Sequence, residues 1–514
     1  MGRDVFYVTT PIYYPNDVPH IGHAYTSVAV DFVARYHRLL GEEVLFLTGT
    51  DEHGKKVPQA AREQGMEPQA FVDAMEPKWR EVWERLQISN DDYIRTTEPR
   101  HEAAVAKLLS AVHDNGTDDI YLGTYEGLYC VACEAYYTED ELVDGNCPVH
   151  GTPVEQLSEE NYFFRLSAYE ERLLRHYEEH PEALEPGSRR NEVLSLIRGG
   201  LRDFSISRTS FAWGVPLPWD PKHVCYVWFD ALTNYLTAAG YADDPERFAR
   251  TWPANIHFMA KDILRFHAVY WPAMLMAAGL EPPTQVWVHG YLLVGGEKMS
   301  KTKLTGIHPF ELIEHFGVDS YRYYFMRELS FGQDGSFSWE AMTERHNADL
   351  ANGLGNLAAR VLAMLSSNFE GVVPEPGVDT STEPVGVRSA AVVPAFMAAM
   401  EAVQLQPALV SVWELVAEAN RWLVEKAPWN LAKDPARADE LSAVLYAAAE
   451  TLRILAILIL PIMPGAAERL WTQLGIPAPL DGQRLPASTR WGGLDPGTKT
   501  TKGDSLFPRL DAKE

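Results

Sequence analysis

The strongest constraint on the fold lies in the first fifty residues, where a strand-like run, a helix-like run and a second strand-like run follow one another. Val5-Phe6-Tyr7-Val8 is a short apolar run, and Pro11, Pro15 and Pro19 mark the loop after it. From Gly22 to Leu40 the apolar positions Ala24, Val28, Phe32, Tyr36 and Leu39 recur at helical spacing, and Gly41 supplies a stop. Val44-Leu45-Phe46-Leu47-Thr48 then reads as a second buried strand. Strand, helix and strand in that order make a βαβ unit, so the fold class expected is α/β with a parallel sheet.

The rest of the chain divides by its local pattern. Residues 1–115 carry the first half of the sheet. Residues 116–215 are rich in turn residues and cysteine, as an inserted domain is. Over 216–290 strand-like runs resume at Cys225-Tyr226-Val227-Trp228-Phe229, Ile256-His257-Phe258-Met259 and Gln285-Val286-Trp287-Val288, the pattern of a sheet's second half. A Gly-flanked loop region follows over 291–345. Residues 346–514 are helical, with Ala/Leu-rich stretches such as Leu441 to Leu460, interrupted by a Pro/Thr/Glu-rich loop from Gly371 to Gly386. A chain of 514 residues supports two to four such domains.

Two motifs carry phosphate chemistry. His20-Ile21-Gly22-His23 falls where a strand gives way to a helix. Free N–H groups and the helix dipole favour anions there, and two imidazoles three positions apart can donate to one triphosphate. Gly22 lets a ligand approach the backbone closely. A short His/Gly string at a helix cap also arises by chance. Lys298-Met299-Ser300-Lys301 sits between Gly295-Gly296 and Gly306. Two lysines one turn apart on a flexible loop suit the charge that builds on departing pyrophosphate, although a lone pair of this kind is usually a solvated turn.

A third motif points to a metal. Cys130-x-x-Cys133 and Cys147-x-x-His150 are separated by thirteen residues, which offers three thiolates and one imidazole to a closed tetrahedral Zn²⁺ site. Four protein ligands leave no open position, so the metal is structural. The bland alternative is one disulfide and a free thiol. The acidic loop (Glu134, Glu139, Asp140, Glu141, Asp144) is unlike a DNA reader.

Taken together, the two phosphate motifs resemble the HIGH and KMSKS signatures of class I aminoacyl-tRNA synthetases, and within that class the chain resembles the methionyl-tRNA synthetase family over nearly its whole length. The blocks that carry this are Thr9-Thr10-Pro11-Ile12-Tyr13-Tyr14-Pro15-Asn16, Thr48-Gly49-Thr50-Asp51-Glu52-His53-Gly54, Tyr226-Val227-Trp228-Phe229-Asp230-Ala231-Leu232 and Lys261-Asp262-Ile263-Leu264-Arg265-Phe266-His267. The zinc motif resembles that of the family's zinc-bearing single-knuckle branch. The resemblance implies a split Rossmann-like catalytic domain with a zinc-knuckle insertion, a KMSK-loop and stem-contact region, and an α-helical bundle that binds the anticodon.

It also implies roles. His20, His23, Lys298 and Lys301 would be catalytic, with Gly22, Gly290 and Ser300 joining them in binding ATP and its Mg²⁺. Ile12, Tyr14, Trp228, Ala231, Leu232, Tyr235, Ile263 and His267 would line a methionine pocket, and Asp51 would take the ammonium group. The residue types suit this, since a polarizable thioether packs on aromatic edges and a buried cation needs a carboxylate. Taken singly, Trp228, Ile263 and Tyr235 are each better read as ordinary core. Asn356-Leu357-Ala358-Ala359-Arg360 and Ala427-Pro428-Trp429 match anticodon-reading positions, Asn356 and Arg360 being four apart on one helix face. The alternative for Trp429 is a buried helix-end aromatic. Thr302 departs from the serine common in that loop but keeps the hydroxyl, so little effect is expected.

The implied partners are ATP, L-methionine and the methionine tRNAs, initiator and elongator. The net charge of −26, from 45 Lys+Arg against 71 Asp+Glu, argues against broad nucleic-acid binding but not against one specific tRNA site. No apolar run reaches the length needed to cross a bilayer, and Met1-Gly2-Arg3-Asp4 leads into a strand without a signal peptide's long apolar region, so the expected location is cytoplasmic. The end at Glu514, without a further module, fits a monomer. The rivals are another class I synthetase and a non-tRNA nucleotidyltransferase. The cysteinyl enzyme resembles a chain with a zinc-ligand cysteine in the first strand-loop, where Thr9, Thr10 and Pro11 stand here. A nucleotidyltransferase has no reason to carry the helical block.

Overall fold

The computed structural model describes residues 4–132, 135–137, 139–209, 211–294, 297–298 and 307–511. The chain forms two compact units. The first comprises the chain up to Pro19, Val44–Glu84 and Asn90–His289, and the second His20–Glu43, Arg85–Ser89 and everything from Gly290 onward.

The first unit is built on a six-stranded sheet in the order Asp92–Arg95, Glu43–Thr50, Val5–Tyr13, Ile256–Ala260, Gln285–His289, Leu184–Glu185. Val8 pairs with Ile256, Ile256 with Gln285 and Leu47 with Asp92, all in parallel register. Tyr7, Val8, Phe46, Leu47 and Phe258 are fully buried, as strands covered on both faces require. From the first strand the order runs outward one way and, after the insertion, outward the other way. Such a reversal opens a crevice beyond the carboxyl ends of the strands, where open α/β sheets bind their ligands.

The inserted part is antiparallel. Ile120–Cys130 pairs with Glu155–Phe164 from Ile120↔Phe164 to Tyr129↔Glu155, with Ala135–Tyr137 and Phe204–Ser205 at the edges. Within the 116–215 interval Leu184–Glu185 returns to the parallel sheet beside Val286 and Trp287. One strand reading needs correction. The strand Asp220–Cys225 ends where the apolar run begins, and Val227–Leu232 is a helix. Five of its six residues are buried, so the helical period left no trace in the sequence.

In the second unit the helix Ile21–Leu40 ends on Gly41 in the left-handed region (φ +89°), as the stop signal required. Its Asp31, fully buried, pairs with Arg35 at 2.7 Å and with buried Arg322 at 2.5 Å. Burial alone would raise this carboxyl, but the two guanidiniums and the Ser89 hydrogen bonds hold it at about 2. Arg322 also donates to the carbonyls of Leu86, Pro461 and Ile462, which anchors the helix inside its own unit. The helices Asn356–Phe369, Pro384–Glu401, Leu405–Lys426, Ala438–Ile459 and Pro464–Leu474 form the bundle. Contrary to the sequence expectation, Pro435–Ile459 is long and apolar enough to cross a membrane. Since 89% of its most apolar window is buried inside the protein, it is the bundle's core helix.

Candidate active site

The methionine-pocket candidates sit at the carboxyl edge of the first unit's sheet. Ile12 and Tyr14 lie at the end of Val5–Tyr13, Asp51 follows Glu43–Thr50, and Ile263 and His267 follow Ile256–Ala260. Asp51 is 4% exposed, and its backbone N–H donates to the Tyr13 carbonyl at 2.8 Å, which joins the ends of the two central strands. Half-buried Tyr14 carries the Lys56 ammonium over its ring at 3.9 Å.

The candidate residues are joined by a chain of directed contacts. The His267 ring bonds the Ile263 carbonyl through Nδ1 at 3.0 Å and Tyr235 Oη through Nε2 at 2.8 Å. A carbonyl only accepts, so Nδ1 carries the proton and the Tyr235 hydroxyl donates to Nε2. Burial lowers the His267 pKa to about 4, against the opposing pull of the Ile263 carbonyl. The imidazole is therefore neutral, which suits an uncharged thioether. Tyr235 is anchored from behind, its carbonyl accepting from the Tyr7 hydroxyl at 2.8 Å. Trp228 stacks on Phe266 (3.7 Å between centroids, 4° between planes) and meets His267 edge-on at 6.4 Å. Ala231 and Leu232 are buried on the same short helix as Trp228. His267 sits in a π-helical turn, Phe266–Tyr270, a distortion common at functional sites.

The phosphate-side candidates belong to the second unit. His20 is the N-cap of Ile21–Leu40. Its Nδ1 accepts the Gly22 N–H at 3.1 Å, and His23 Nδ1 accepts the His20 N–H at 3.3 Å. The rings stack at 3.7 Å. Because both Nδ1 atoms accept, the proton of each neutral ring sits on Nε2. Gly22 thus serves the cap through its own N–H. Gly290 has a steric reason to lack a side chain, since a Cβ there would lie 2.2 Å from the Gln333 carbonyl carbon. Lys298 ends a short hairpin, Leu293 pairing with Lys298, whose first strand Leu292–Val294 touches the helix Ile21–Leu40. Ser300 and Lys301 lie outside the described residues.

Three of the four metal candidates converge. The ligand atoms of Cys130, Cys147 and His150 lie within 4.8 Å of one another. A tetrahedral Zn²⁺ site needs separations of about 3.6–3.8 Å, and the Cys147 Sγ to His150 Nδ1 distance is 3.9 Å. Cys130 and Cys147 are buried free thiols, not a disulfide pair. The residues fit a small divalent cation. Cys133 lies outside the described residues.

In the bundle, Asn356 opens the helix Asn356–Phe369 on its exposed side, and the Arg360 guanidinium stands 5.1 Å from the Trp429 ring centroid. Trp429 is 37% exposed, so it is not the buried aromatic of the alternative reading.

One feature escaped the residue patterns. Asp230, fully buried, accepts from His53 Nδ1 at 2.6 Å and His101 Nε2 at 2.7 Å. His53 and Asp230 stand inside two of the matched blocks, but nothing local pairs them, and His101 belongs to no motif.

Comparison with known proteins agrees with this geometry. Residues 6–156 and 149–362 match the family described as tRNA synthetases class I (M), and residues 373–514 match the anticodon binding domain of methionyl tRNA ligase. A methionine–tRNA ligase of Streptomyces coelicolor is 50% identical over 529 residues, covering 100% of this chain and 98% of its own. One from Caldanaerobacter subterraneus subsp. tengcongensis is 47% identical over 514 residues, covering 100% and 80%. The structure of Mycobacterium tuberculosis methionyl-tRNA synthetase in complex with methionyl-adenylate is similar with a TM-score of 0.92 at 44% identity, over 98% of this chain and 100% of that one. A chain that matches this family along both its parallel-sheet part and its helical part belongs to the methionyl-tRNA synthetases, the class I methionine–tRNA ligases.

Proposed function

We propose that this ligase joins L-methionine to ATP as methionyl-adenylate and then transfers the methionyl group to the 3′ end of methionine tRNAs, initiator and elongator alike. In the first step a methionine carboxylate oxygen attacks the α-phosphorus of Mg²⁺-ATP and pyrophosphate leaves, with no covalent enzyme intermediate. In the second a terminal hydroxyl of the tRNA attacks the methionyl carbonyl and AMP leaves. The protein's share is positioning and charge stabilisation. His20 and His23 donate through Nε2 to the phosphates, and Lys298 and Lys301 neutralise the departing pyrophosphate, with Gly22, Gly290 and Ser300 beside the nucleotide. Asp51 takes the ammonium group. Ile12, Tyr14, Trp228, Ala231, Leu232, Tyr235, Ile263 and His267 enclose the side chain.

The observation that carries the amino-acid assignment is the neutral His267–Tyr235 pair beside Trp228. It presents polarizable rings and no charge to a thioether, which suits methionine better than a polar or charged side chain. ATP–pyrophosphate exchange tested with all twenty amino acids should respond to methionine far above the rest. Exchange driven better by cysteine, or by none, would remove this reading.

Cys130, Cys133, Cys147 and His150 hold one structural Zn²⁺ in the same reading. Metal analysis of the purified protein should return about one zinc per chain, and Cys147→Ser should lose it. A zinc-free, fully active preparation refutes the assignment. Asn356, Arg360 and Trp429 read the anticodon. The enzyme works in the cytoplasm as a monomer.

A further inference from the structure

We propose that Asp230 and His53 are positioning residues for methionine: the Asp230 carboxylate, through His53, ties the strand end that carries Asp51 to the short helix that carries Trp228, Ala231 and Leu232. The inference rests on the methionine-binding roles given above to Asp51 and Trp228.

The geometry is specific. Asp230 Oδ2 meets His53 Nδ1 at 2.6 Å and Oδ1 meets His101 Nε2 at 2.7 Å, with both carboxylate oxygens buried. An ionised carboxylate only accepts, so both facing imidazole nitrogens carry protons. Burial alone would raise the Asp230 carboxyl, yet His53 and His101 hold it at about 2, while Asp230 raises His53 against its own burial. The His101 ring reaches back to Thr237 Oγ1 at 3.1 Å. Asp230 thus joins three places in the fold: the segment after Glu43–Thr50, the helix Pro99–His113 and the helix Val227–Leu232.

The segment after Asp51 is held from the other side as well. Glu52 accepts from Arg95 at 2.8 Å, Thr50 at 2.8 Å and Thr97 at 2.5 Å, and its carbonyl accepts the Trp213 indole N–H at 2.7 Å. The Trp213 ring stands edge-on to His53 at 5.7 Å. Asp51 is therefore followed by two residues whose side chains are each tied to distant segments, Glu52 to Arg95 and Thr97 and His53 to Asp230. A buried charged network of this kind is often no better for stability than apolar residues of the same volume. What it supplies is a defined spacing between distant segments. An ammonium partner and a side-chain pocket carried on separate elements need such a spacing, because misplacement by about 1 Å can cost on the order of a hundredfold.

The test uses ATP–pyrophosphate exchange with the full-length enzyme. His53→Ala should raise the KM for methionine about tenfold or more, with kcat and the KM for ATP changed by less than about threefold. His53→Asn keeps a donor N–H close to the Nδ1 position and should restore most of the methionine KM. Asp230→Asn keeps the volume but cannot accept from both imidazoles unless one of them loses its facing proton. It should raise the methionine KM in the same sense, and it serves as the readout if His53→Ala does not fold. A folded His53→Ala or Asp230→Asn with unchanged methionine KM overturns the proposal. So does a loss spread equally over kcat and both KM values that asparagine does not rescue, because that marks a merely structural pair. If the wild-type enzyme itself shows no methionine-dependent exchange, the functional reading has failed instead.

Discussion

Replacing His20 with asparagine lowers kcat for methionine-dependent ATP–pyrophosphate exchange by about 10²–10³-fold while leaving Tm essentially unchanged. The separation of the two effects comes from the helix cap. His20 caps Ile21–Leu40 by accepting the Gly22 N–H through Nδ1. Asparagine is among the best N-cap residues and preserves that acceptor, whereas alanine forfeits about 1 kcal/mol of helix stability and confuses the result. What asparagine cannot reproduce is an Nε2–H donor, since its amide has no atom at that position of the imidazole. Loss of one preorganised donor to a developing charge costs about 2.7–4 kcal/mol in comparable sites. Pre-steady-state adenylate formation and a thermal melt on the same preparation decide the matter. A variant with the wild-type rate shows that His20 is a cap and no more.

Replacing Trp429 with alanine lowers the efficiency of tRNA methionylation by about one to two decades and leaves methionine-dependent exchange nearly intact. One base stack is worth roughly 1–3 kcal/mol, and each 1.4 kcal/mol is about tenfold. The indole is 37% exposed, and Arg360 faces its ring at 5.1 Å. A cation over the face holds the ring in one orientation and places a guanidinium beside any base that stacks there. In the proposed reading the residue serves recognition more than packing. Both assays on one folded preparation separate the possibilities. If exchange and methionylation fall together, Trp429 supports structure. If neither changes, the anticodon assignment is wrong.

The features legible in the sequence are those whose physics is local. A fully covered strand reads as an apolar run, and an amphipathic helix with a glycine stop reads as a period of 3.6, so Val5–Val8, Gly22–Leu40 and Val44–Thr48 stood out, whereas Pro11, read as loop, lies inside the first strand, which runs on to Tyr13. The His20 cap and the candidate metal ligands Cys130 and Cys147–His150 depend on spacings of a few residues, which the chain displays directly. Where burial is complete, the pattern vanishes. Val227–Phe229 read as strand because nearly every residue of the helix Val227–Leu232 is covered, and Pro435–Ile459 has the composition of a membrane span because it is the core of a bundle. Leu184–Glu185 is two residues long and carries no signal of its own. Its place in the sheet follows from pairing with Val286 and Trp287, about a hundred residues away.

The same division runs through the site. Most of the residues that touch substrate in the proposed mechanism lie in short blocks, where each residue type states its chemistry. The contacts that set their protonation and spacing do not. Tyr235 and His267 are 32 positions apart, His101 and Asp230 129, and His53 and Asp230 177. A side chain's hydrogen-bonding capacity is a property of its residue type. Whether that capacity is spent on water, on a substrate or on a partner from another segment is decided only when folding removes the water and leaves one partner within reach. The sequence alone therefore determined the sheet's core strands, the helical cap with its two imidazoles and the spacing of the candidate metal ligands, whereas the neutral His267, the Asp230 tie and the exposed face of Trp429 were decided by tertiary packing.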